Sequence, residues 1–274
     1  MNMRLRYFVV KREPTTYCGL NLVDTPDLDV STPPVQPPAP GPFAHLVQVI
    51  VCCGQVPTQG VIAAILFVCG LNPTDKDQVA LPFFAALTLI DTVVVGFMMF
   101  VFLRAGRESL RKVFFGDRSI KKELLIGAGL IPVVLIGTGI VMGLIRLKFP
   151  GLHNVKVSPF DSYTDTPFHS ALFVFVVIVA GGIREEFQRG FLIHRFGQNL
   201  GGMWLGLGLY TVFFGAMHAI QGWDAALTIG VLGFFWGWLY IRRRSVAASM
   251  VSHAGFDALQ VIGQLLVKTL GLPK

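Results

Sequence analysis

The chain has 274 residues, of which 53% are hydrophobic and only 14% are charged, and its mean hydropathy is +0.62. This balance excludes an ordinary soluble domain and indicates a polytopic membrane protein. The formal net charge of +7 does not indicate a nucleic-acid partner, because the Lys and Arg residues lie between long apolar segments, as in cytoplasmic loops of membrane proteins. Four scattered cysteines predict neither a disulfide framework nor a cysteine-based metal site.

Residues 1–42 are predicted to form an extended, disordered cytoplasmic tail. This segment has prolines at positions 26, 33, 34, 37, 38, 40 and 42, and their fixed φ angles and missing N–H groups disfavour helix and sheet. We interpret it as a spacer rather than a docking segment. The first fourteen residues are basic and lack the apolar run of a secretory signal, which predicts a cytoplasmic N-terminus.

Apolar segments of membrane-spanning length then follow along the rest of the chain. They cover residues 44–70, 79–103, 123–146, 168–195, 202–220, 225–241 and 246–268. We therefore predict an all-α, polytopic helical bundle with seven spans, divided into N-terminal transmembrane helices (43–167) and a C-terminal core (168–268). The first span contains glutamines at 48, 55 and 59 and a proline at 57, so it is predicted to be kinked, broken or split, which leaves an eighth element open.

Loop charges predict the orientation of these spans. The 104–122 and 242–244 connections are rich in Lys and Arg and are predicted to be cytoplasmic. The less basic 71–78, 147–167 and 221–224 connections then lie on the other side, together with the C-terminus.

The fourth span contains a cluster of charges, Arg184, Glu185, Glu186 and Arg189. Each charge would cost about 2.5–3.5 kcal/mol in lipid, so the cluster would cost on the order of 10 kcal/mol. The charges must therefore face protein or a wet cavity. On a regular helix Glu185, Glu186 and Arg189 share one face with Gly182, which has no side chain to hold a neighbouring helix away.

Two further motifs interrupt apolar segments with histidine. Phe214 and His218 stand four residues apart in the fifth span, and so do His253 and Asp257 in the seventh, where Ser249, Gln260 and Gln264 continue the polar stripe. Together these groups suit hydrolysis: a carboxylate takes a proton from water, imidazoles bind a divalent metal or an oxyanion, and Arg orients the carboxylate. The alternative is structural, with Glu185 and Arg189 forming an ion pair between helices and each His bonded to a neighbour. The number of ionisable residues on three helices favours a site.

The motifs Glu185-Glu186-Phe-Gln-Arg189-Gly190, Phe214-x-x-x-His218 and His253-x-x-x-Asp257 resemble the three ordered motifs of the CPBP family. That family, also called ABI, contains type II CAAX prenyl endopeptidases and bacteriocin-processing proteins, and the resemblance covers about residues 168–260. It implies a glutamate-dependent intramembrane metalloendopeptidase. Its substrate would be a membrane-associated protein or peptide near the cytoplasmic face, in the plasma membrane of a prokaryote.

The resemblance also implies roles for single residues. Glu185, Glu186, Arg189, His218, His253 and Asp257 would form the catalytic site. His218 and His253 correspond to the family's metal- or oxyanion-binding histidines, and the implied cofactor is a divalent metal ion, with zinc as the first choice. Asp257 stands where the family usually has Asn.

The first motif is one residue shorter than the family's usual pattern, which leaves two alignments. Matching the Glu pair makes Glu185 the water-activating base and Glu186 its supporting partner. Matching Arg189-Gly190 places Arg184 at the base position and Glu185 at the second Glu. We select Glu185 as the base, because its spacing from Arg189 and its stripe position suit both alignments. Arg184 is a candidate to balance Asp257, and Asp91 in the second span is a further counter-charge.

Two functions other than proteolysis remain as alternatives. The same ionisable residues would also suit a non-catalytic pseudo-protease scaffold or a proton relay in a transporter. Transporters often show repeat symmetry and paired broken helices, neither of which is evident in the sequence.

Overall fold

The computed structural model describes residues 40–75 and 78–271, so nearly all of the predicted tail (1–42) lies outside the described residues. The helices are α1 (Pro42–Cys53), α2 (Val56–Val68), α3 (Leu81–Ala105), α4 (Leu110–Phe114), α5 (Ile120–Lys148), α6 (Pro167–Val177), α7 (Glu186–Asn199), α8 (Met203–Met217), α9 (Trp223–Arg243) and α10 (Ala247–Thr269). A π-helical segment, Ile178–Glu185, joins α6 to α7, and 3-10 turns span Pro150–Leu152, Asp161–Thr164 and Ala219–Gln221. A small antiparallel hairpin, β1 (Thr74–Asp75) and β2 (Gln78–Val79), pairs Thr74 with Val79 and Asp75 with Gln78. The prediction of an all-α bundle is confirmed apart from this hairpin.

The predicted count of seven or eight spans is not confirmed by helix length and composition. Among the described residues, four helices are long and apolar enough to cross a membrane: α3, α5, the continuous Pro167–Asn199 and α9. The α1–α2 pair adds a fifth if its 42° bend lies within one broken span, as the glutamines and proline predict. The α8 helix is apolar but has only 15 residues. The α10 helix is long, but its polar stripe lowers its hydropathy.

The two basic connections lie together at one end of the bundle, which we call the basic end. The Val246 N–H donates to the Phe114 carbonyl at 2.8 Å, and the Tyr240 hydroxyl donates to the Val113 carbonyl at 2.9 Å. Beside them, Arg243 Nε donates to Glu123 Oε2 at 2.6 Å. The start of α5, the end of α9 and the start of α10 therefore meet at the basic end.

The connections that contain Val79, Asn154 and Tyr163 meet at the other end, which we call the opposite end. There the Tyr163 hydroxyl donates to the Val79 carbonyl at 2.8 Å, and the Trp223 N–H donates to Asn154 Oδ1 at 3.0 Å. Lys268, near the end of α10, lies 2.8 Å from Asp165. The 147–167 loop is thus separated from the basic loops, whereas the side of the membrane that each end faces stays a prediction.

Close helix contacts place α10 and α8 at fixed depths in the bundle. A Cβ on Gly127 of α5 would lie 2.6 Å from the carbonyl oxygen of Ala248, and a Cβ on Gly215 of α8 would lie 2.8 Å from that of Ala226. Only glycine fits at such backbone approaches, as is common in membrane bundles. These contacts fix the positions of His253 on α10 and of His218 at the end of α8.

Candidate active site

The charged cluster of the fourth span begins in the π-helical segment. A π-helical turn holds more residues than an α-helical one, so it changes the direction in which the following side chains point. A Cβ on Gly182 would lie 2.9 Å from Ala254 Cα, and a Cβ on Gly181 would overlap the Asp257 carboxylate. The α10 helix therefore lies directly against this segment, and α10 carries His253 and Asp257.

Glu186 is locked inside the protein. Its Oε1 accepts a hydrogen bond from Arg189 and lies 2.9 Å from His253 Nδ1. Glu186 and Arg189 are 1% and 0% exposed. The Arg189 guanidinium also lies 4.9 Å from the Phe214 ring centroid and 5.7 Å from that of Trp236, distances typical of cation–π contacts. Glu186 thus fixes His253.

The structural alternative of an ion pair between Glu185 and Arg189 is not what forms, because Arg189 pairs with Glu186, three residues away instead of four. Residues three and four apart both lie on one face of a regular helix, so the spacing by itself does not decide which glutamate Arg189 binds. Glu185 and Glu186 face different surroundings.

Glu185 faces a cavity and is contacted by Arg184. Arg184 Nη2 lies 3.5 Å from Glu185 Oε1, and its Nη1 donates to Asp91 Oδ2 at 2.8 Å. Gln59 donates to the same Asp91 oxygen at 3.2 Å. Arg184 therefore pairs with Asp91 of α3 and with Glu185, and not with Asp257, for which it was a candidate. Asp91 is therefore a counter-charge, and the charge that it balances is that of Arg184.

His253 presents its second nitrogen to the same cavity. Its ring stacks on Trp236 with centroids 3.8 Å apart and an interplanar angle of 18°. Its Nε2 lies 3.5 Å from Asp257 Oδ2 and 4.0 Å from Glu185 Oε2. A neutral ring that donates from Nδ1 to Glu186 keeps Nε2 as an acceptor, and a protonated ring donates from both nitrogens.

His218 lies at the C-terminus of α8, where the helix stops short. Its Nδ1 lies 2.8 Å from the Phe214 carbonyl, and the two rings meet edge to face at 4.8 Å. The early end of α8 brings His218 to the same cavity as Glu185 and His253.

The cavity measures about 380 Å³, within the range of about 300–1,000 Å³ typical of ligand sites. Glu185, His218, His253 and Asp257 all line it, whereas Glu186 and Arg189 do not. It continues past apolar walls to Ser158, which lies in the 149–166 loop of the opposite end. The structure thus brings the sequence-predicted residues together, with Glu185 as the member of the pair that faces open space.

The geometry does not fit the predicted metal site. Among residues 40–75 and 78–271, no three His, Cys, Asp or Glu side chains are arranged to hold a metal ion. Nδ1 of His253 and of His218 already contact Glu186 and the Phe214 carbonyl, so each ring has one nitrogen left. We derive no step through a metal ion, and zinc at His218 and His253 stays a prediction.

Sequence reasoning missed two residues that shape this site. Trp236 supplies the flat surface on which His253 rests, and Gln59 holds Asp91. Trp236 stands in an apolar span without a polar neighbour, so nothing in its surroundings could have identified it. Gln59 indicates only a helix break in the sequence, and its contact with Asp91 is not predicted from there.

The fold and the site define an integral membrane protein with carboxylate and imidazole groups around a cavity between its helices. Residues 167–259 match the family described as Rce1-like, type II CAAX prenyl endopeptidase. This match confirms the resemblance that the three motifs predict and contains all six predicted site residues. No curated protein and no solved structure matches the chain. Residues 167–259 are thus similar to the Rce1-like family of type II CAAX prenyl endopeptidases, while α1 to α5 lie outside the match.

Proposed function

We propose that the protein is a glutamate-dependent intramembrane endopeptidase that hydrolyses a peptide bond of a membrane-associated protein or peptide. One observation carries the proposal. Of two adjacent glutamates, Glu186 is bound to Arg189 and His253, and Glu185 is left facing the cavity, 4.0 Å from His253 Nε2. A base must reach its substrate water, and of these two carboxylates only Glu185 does so.

In this mechanism Glu185 takes a proton from water as the water oxygen attacks the peptide carbonyl. His253, whose Nδ1 donates to Glu186, accepts a hydrogen bond from this water at Nε2 and so orients it for attack. Glu185 then passes its proton to the leaving amine as the C–N bond breaks. Arg184, held by Asp91, orients the Glu185 carboxylate throughout these steps. His218 faces the same cavity and is placed to bind the carbonyl or the water.

The test is cleavage of a library of lipid-proximal peptides by the purified chain in lipid nanodiscs, with products identified by mass spectrometry. We expect a discrete set of cleaved bonds. Parallel reactions with chelator test the predicted metal ion: joint loss of activity and bound metal would support it, and unchanged activity would support the mechanism without metal. The non-catalytic scaffold would be favoured by two results together. The folded wild type would cleave nothing, and the Glu185→Gln variant would still replace the wild type in cells that lack it.

We further propose that α8 and α10 also cross the membrane, which gives seven spans, with the basic end in the cytoplasm of a prokaryotic cell. The contacts of α10 support this, because it begins beside Phe114 and ends beside Asp165. Exposed residues at each end allow a test in a chain whose cysteines are replaced by serine. A thiol at Lys156 should react only with impermeant reagent from outside, and a thiol at Arg118 only from the cytoplasm. The reverse pattern would invert the bundle.

A further inference from the structure

Gln55 occupies an unusual position at the break between α1 and α2. Its φ is 55° and its ψ is −54°, a backbone conformation that glycine adopts far more readily. The residue is 8% exposed and lines the cavity. Its carboxamide has no hydrogen-bond partner within the part of the chain that the structure describes. Unfavourable backbone conformations of this kind concentrate at functional sites.

Two further glutamines extend the polar face of α10 beyond the candidate active site. Gln260 and Gln264 stand one helical turn apart, follow His253 and Asp257 along the helix, and line the cavity. Both are exposed, and neither carboxamide is hydrogen-bonded to any residue that the structure describes. Polar groups at membrane depth need water or a partner, so this part of the cavity is wet.

The cavity extends from the candidate active site toward one end of the bundle. From Glu185 it extends to Ser158, Phe160 and Gln221, which belong to the connections of the opposite end. None of the basic connections of the basic end contributes to its lining. The cavity therefore extends from Glu185 toward the end away from the basic loops, whereas the family resemblance implies a substrate near the basic, cytoplasmic face.

The free carboxamides define the chemistry of a ligand. A carboxamide has two N–H donors and one carbonyl acceptor, which match the acceptors and donors of an extended peptide backbone. The glutamines are uncharged, so they select for backbone rather than for charged side chains. Gln59, which also lines the cavity, is engaged with Asp91 and is not needed for this role.

We propose that the cavity binds an extended peptide backbone through the carboxamides of Gln55, Gln260 and Gln264, and that this peptide reaches Glu185 from the opposite end. The inference rests on the proposed function for the peptide nature of the ligand. It names the groups that hold the substrate and the direction from which it arrives. Binding does not require cleavage, so the two proposals can fail separately.

The test uses the full chain in lipid nanodiscs with Glu185→Gln as the background, which prevents cleavage. The probe is a short fluorescein-labelled Ala-Ser peptide, compared with the same peptide carrying N-methylated backbone amides, and Kd is measured by fluorescence polarisation. Gln55→Leu and Gln264→Leu should each weaken binding by about threefold to tenfold, the effect of one lost hydrogen bond. N-methylation should weaken binding to the background protein and weaken it less in the glutamine variants, because the effects of contacting groups are not additive.

Gln48→Leu is the matched control, because Gln48 is also 8% exposed and lies on α1 but does not line the cavity. Gln55→Gly guards against a folding artefact. Glycine should relieve the positive φ and keep or raise Tm, yet binding should still weaken. Equal Kd values for Gln55→Leu, Gln264→Leu and Gln48→Leu, or for the two peptides, would overturn the proposal. Peptide binding with these patterns in a protein that cleaves nothing would keep it while removing the proposed function.

The direction of access has its own readout. In the serine-replaced chain, a thiol at Gln221 should react with impermeant reagent from the same side as a thiol at Lys156, and bound peptide should slow the reaction. Labelling of Gln221→Cys only from the side of Arg118 would overturn the direction.

Discussion

Two clusters in this protein combine a glutamate, a histidine and an arginine, and both use α7. At the basic end, Glu108 binds His194 and Arg195. Inside the bundle, Glu186 binds Arg189 of α7 and His253 of α10. The residue types are the same, yet only the inner cluster adjoins the cavity.

The difference lies in what each cluster leaves free. Both carboxylate oxygens of Glu108 are engaged, since Gln198 donates to Oε2 at 2.9 Å. The inner cluster adds a second glutamate, Glu185, which faces open space. A carboxylate whose two oxygens are both engaged is therefore structural, and a carboxylate left facing a cavity becomes a candidate for binding or catalysis.

The largest expected effect is on peptide turnover, which should depend on the inner cluster and not on the cluster at the basic end. Glu185→Gln keeps the shape of the side chain but cannot take a proton, so turnover should fall by about 10²- to 10⁴-fold. Glu108→Gln, the matched change at the basic end, should leave turnover within about twofold, because Glu108 lies away from the cavity. Peptide cleavage rates in nanodiscs, with Tm recorded for each variant, provide the measurement. Similar losses for both variants would contradict the distinction.

The second expected effect is on the free energy of unfolding, which should fall more when Glu186 is replaced than when Glu185 is replaced. Glu186→Gln leaves Arg189, which is 0% exposed, without its charge partner. Breaking such a buried pair typically costs about 3–5 kcal/mol. Glu185→Gln should cost far less, because that side chain lines the cavity and is not paired with Arg189. Denaturant unfolding in one detergent compares them, and a larger loss for Glu185→Gln would mean that the pair is assigned backwards.

The smallest effect concerns acid stability at the basic end. Burial raises the pKa of Glu108, but hydrogen bonds from His194 and Arg195 outweigh it and lower the pKa from 4.5 to about 2. A lowered folded-state pKa gives stability that is present above about pH 4.5 and is lost as pH falls towards 2. The full shift corresponds to about 3 kcal/mol, which partial exposure of the carboxylate reduces.

Unfolding measured between about pH 6 and pH 3 tests this expectation, since that window spans the titration of the unfolded carboxyl. The wild type should lose stability on acidification, and Glu108→Gln should show a flatter profile from a lower starting value. Parallel pH profiles in the two proteins would show that the ion pairs of Glu108 contribute nothing.

Composition and residue spacing are enough to predict the class of the protein and the members of its candidate site. Apolar segments predict membrane helices from composition alone, and the cost of charge in lipid marks Glu185, Glu186 and Arg189 as residues that need partners. The spacing of His253 and Asp257 places them on one helix face. These conclusions hold because they depend on local composition and on a fixed helical period.

Which glutamate faces the cavity follows only from the three-dimensional arrangement of the helices. The π-helical segment Ile178–Glu185 changes the direction of the side chains that follow it relative to a regular helix, and neither composition nor spacing reveals such a segment. The pairing of Arg184 with Asp91 joins residues 93 positions apart, and the stacking of Trp236 on His253 joins two different helices. The extension of the cavity to Ser158 and Gln221 likewise follows from where α8 stops and which loops meet there. Each of these features depends on contacts between distant segments, which a local pattern does not contain.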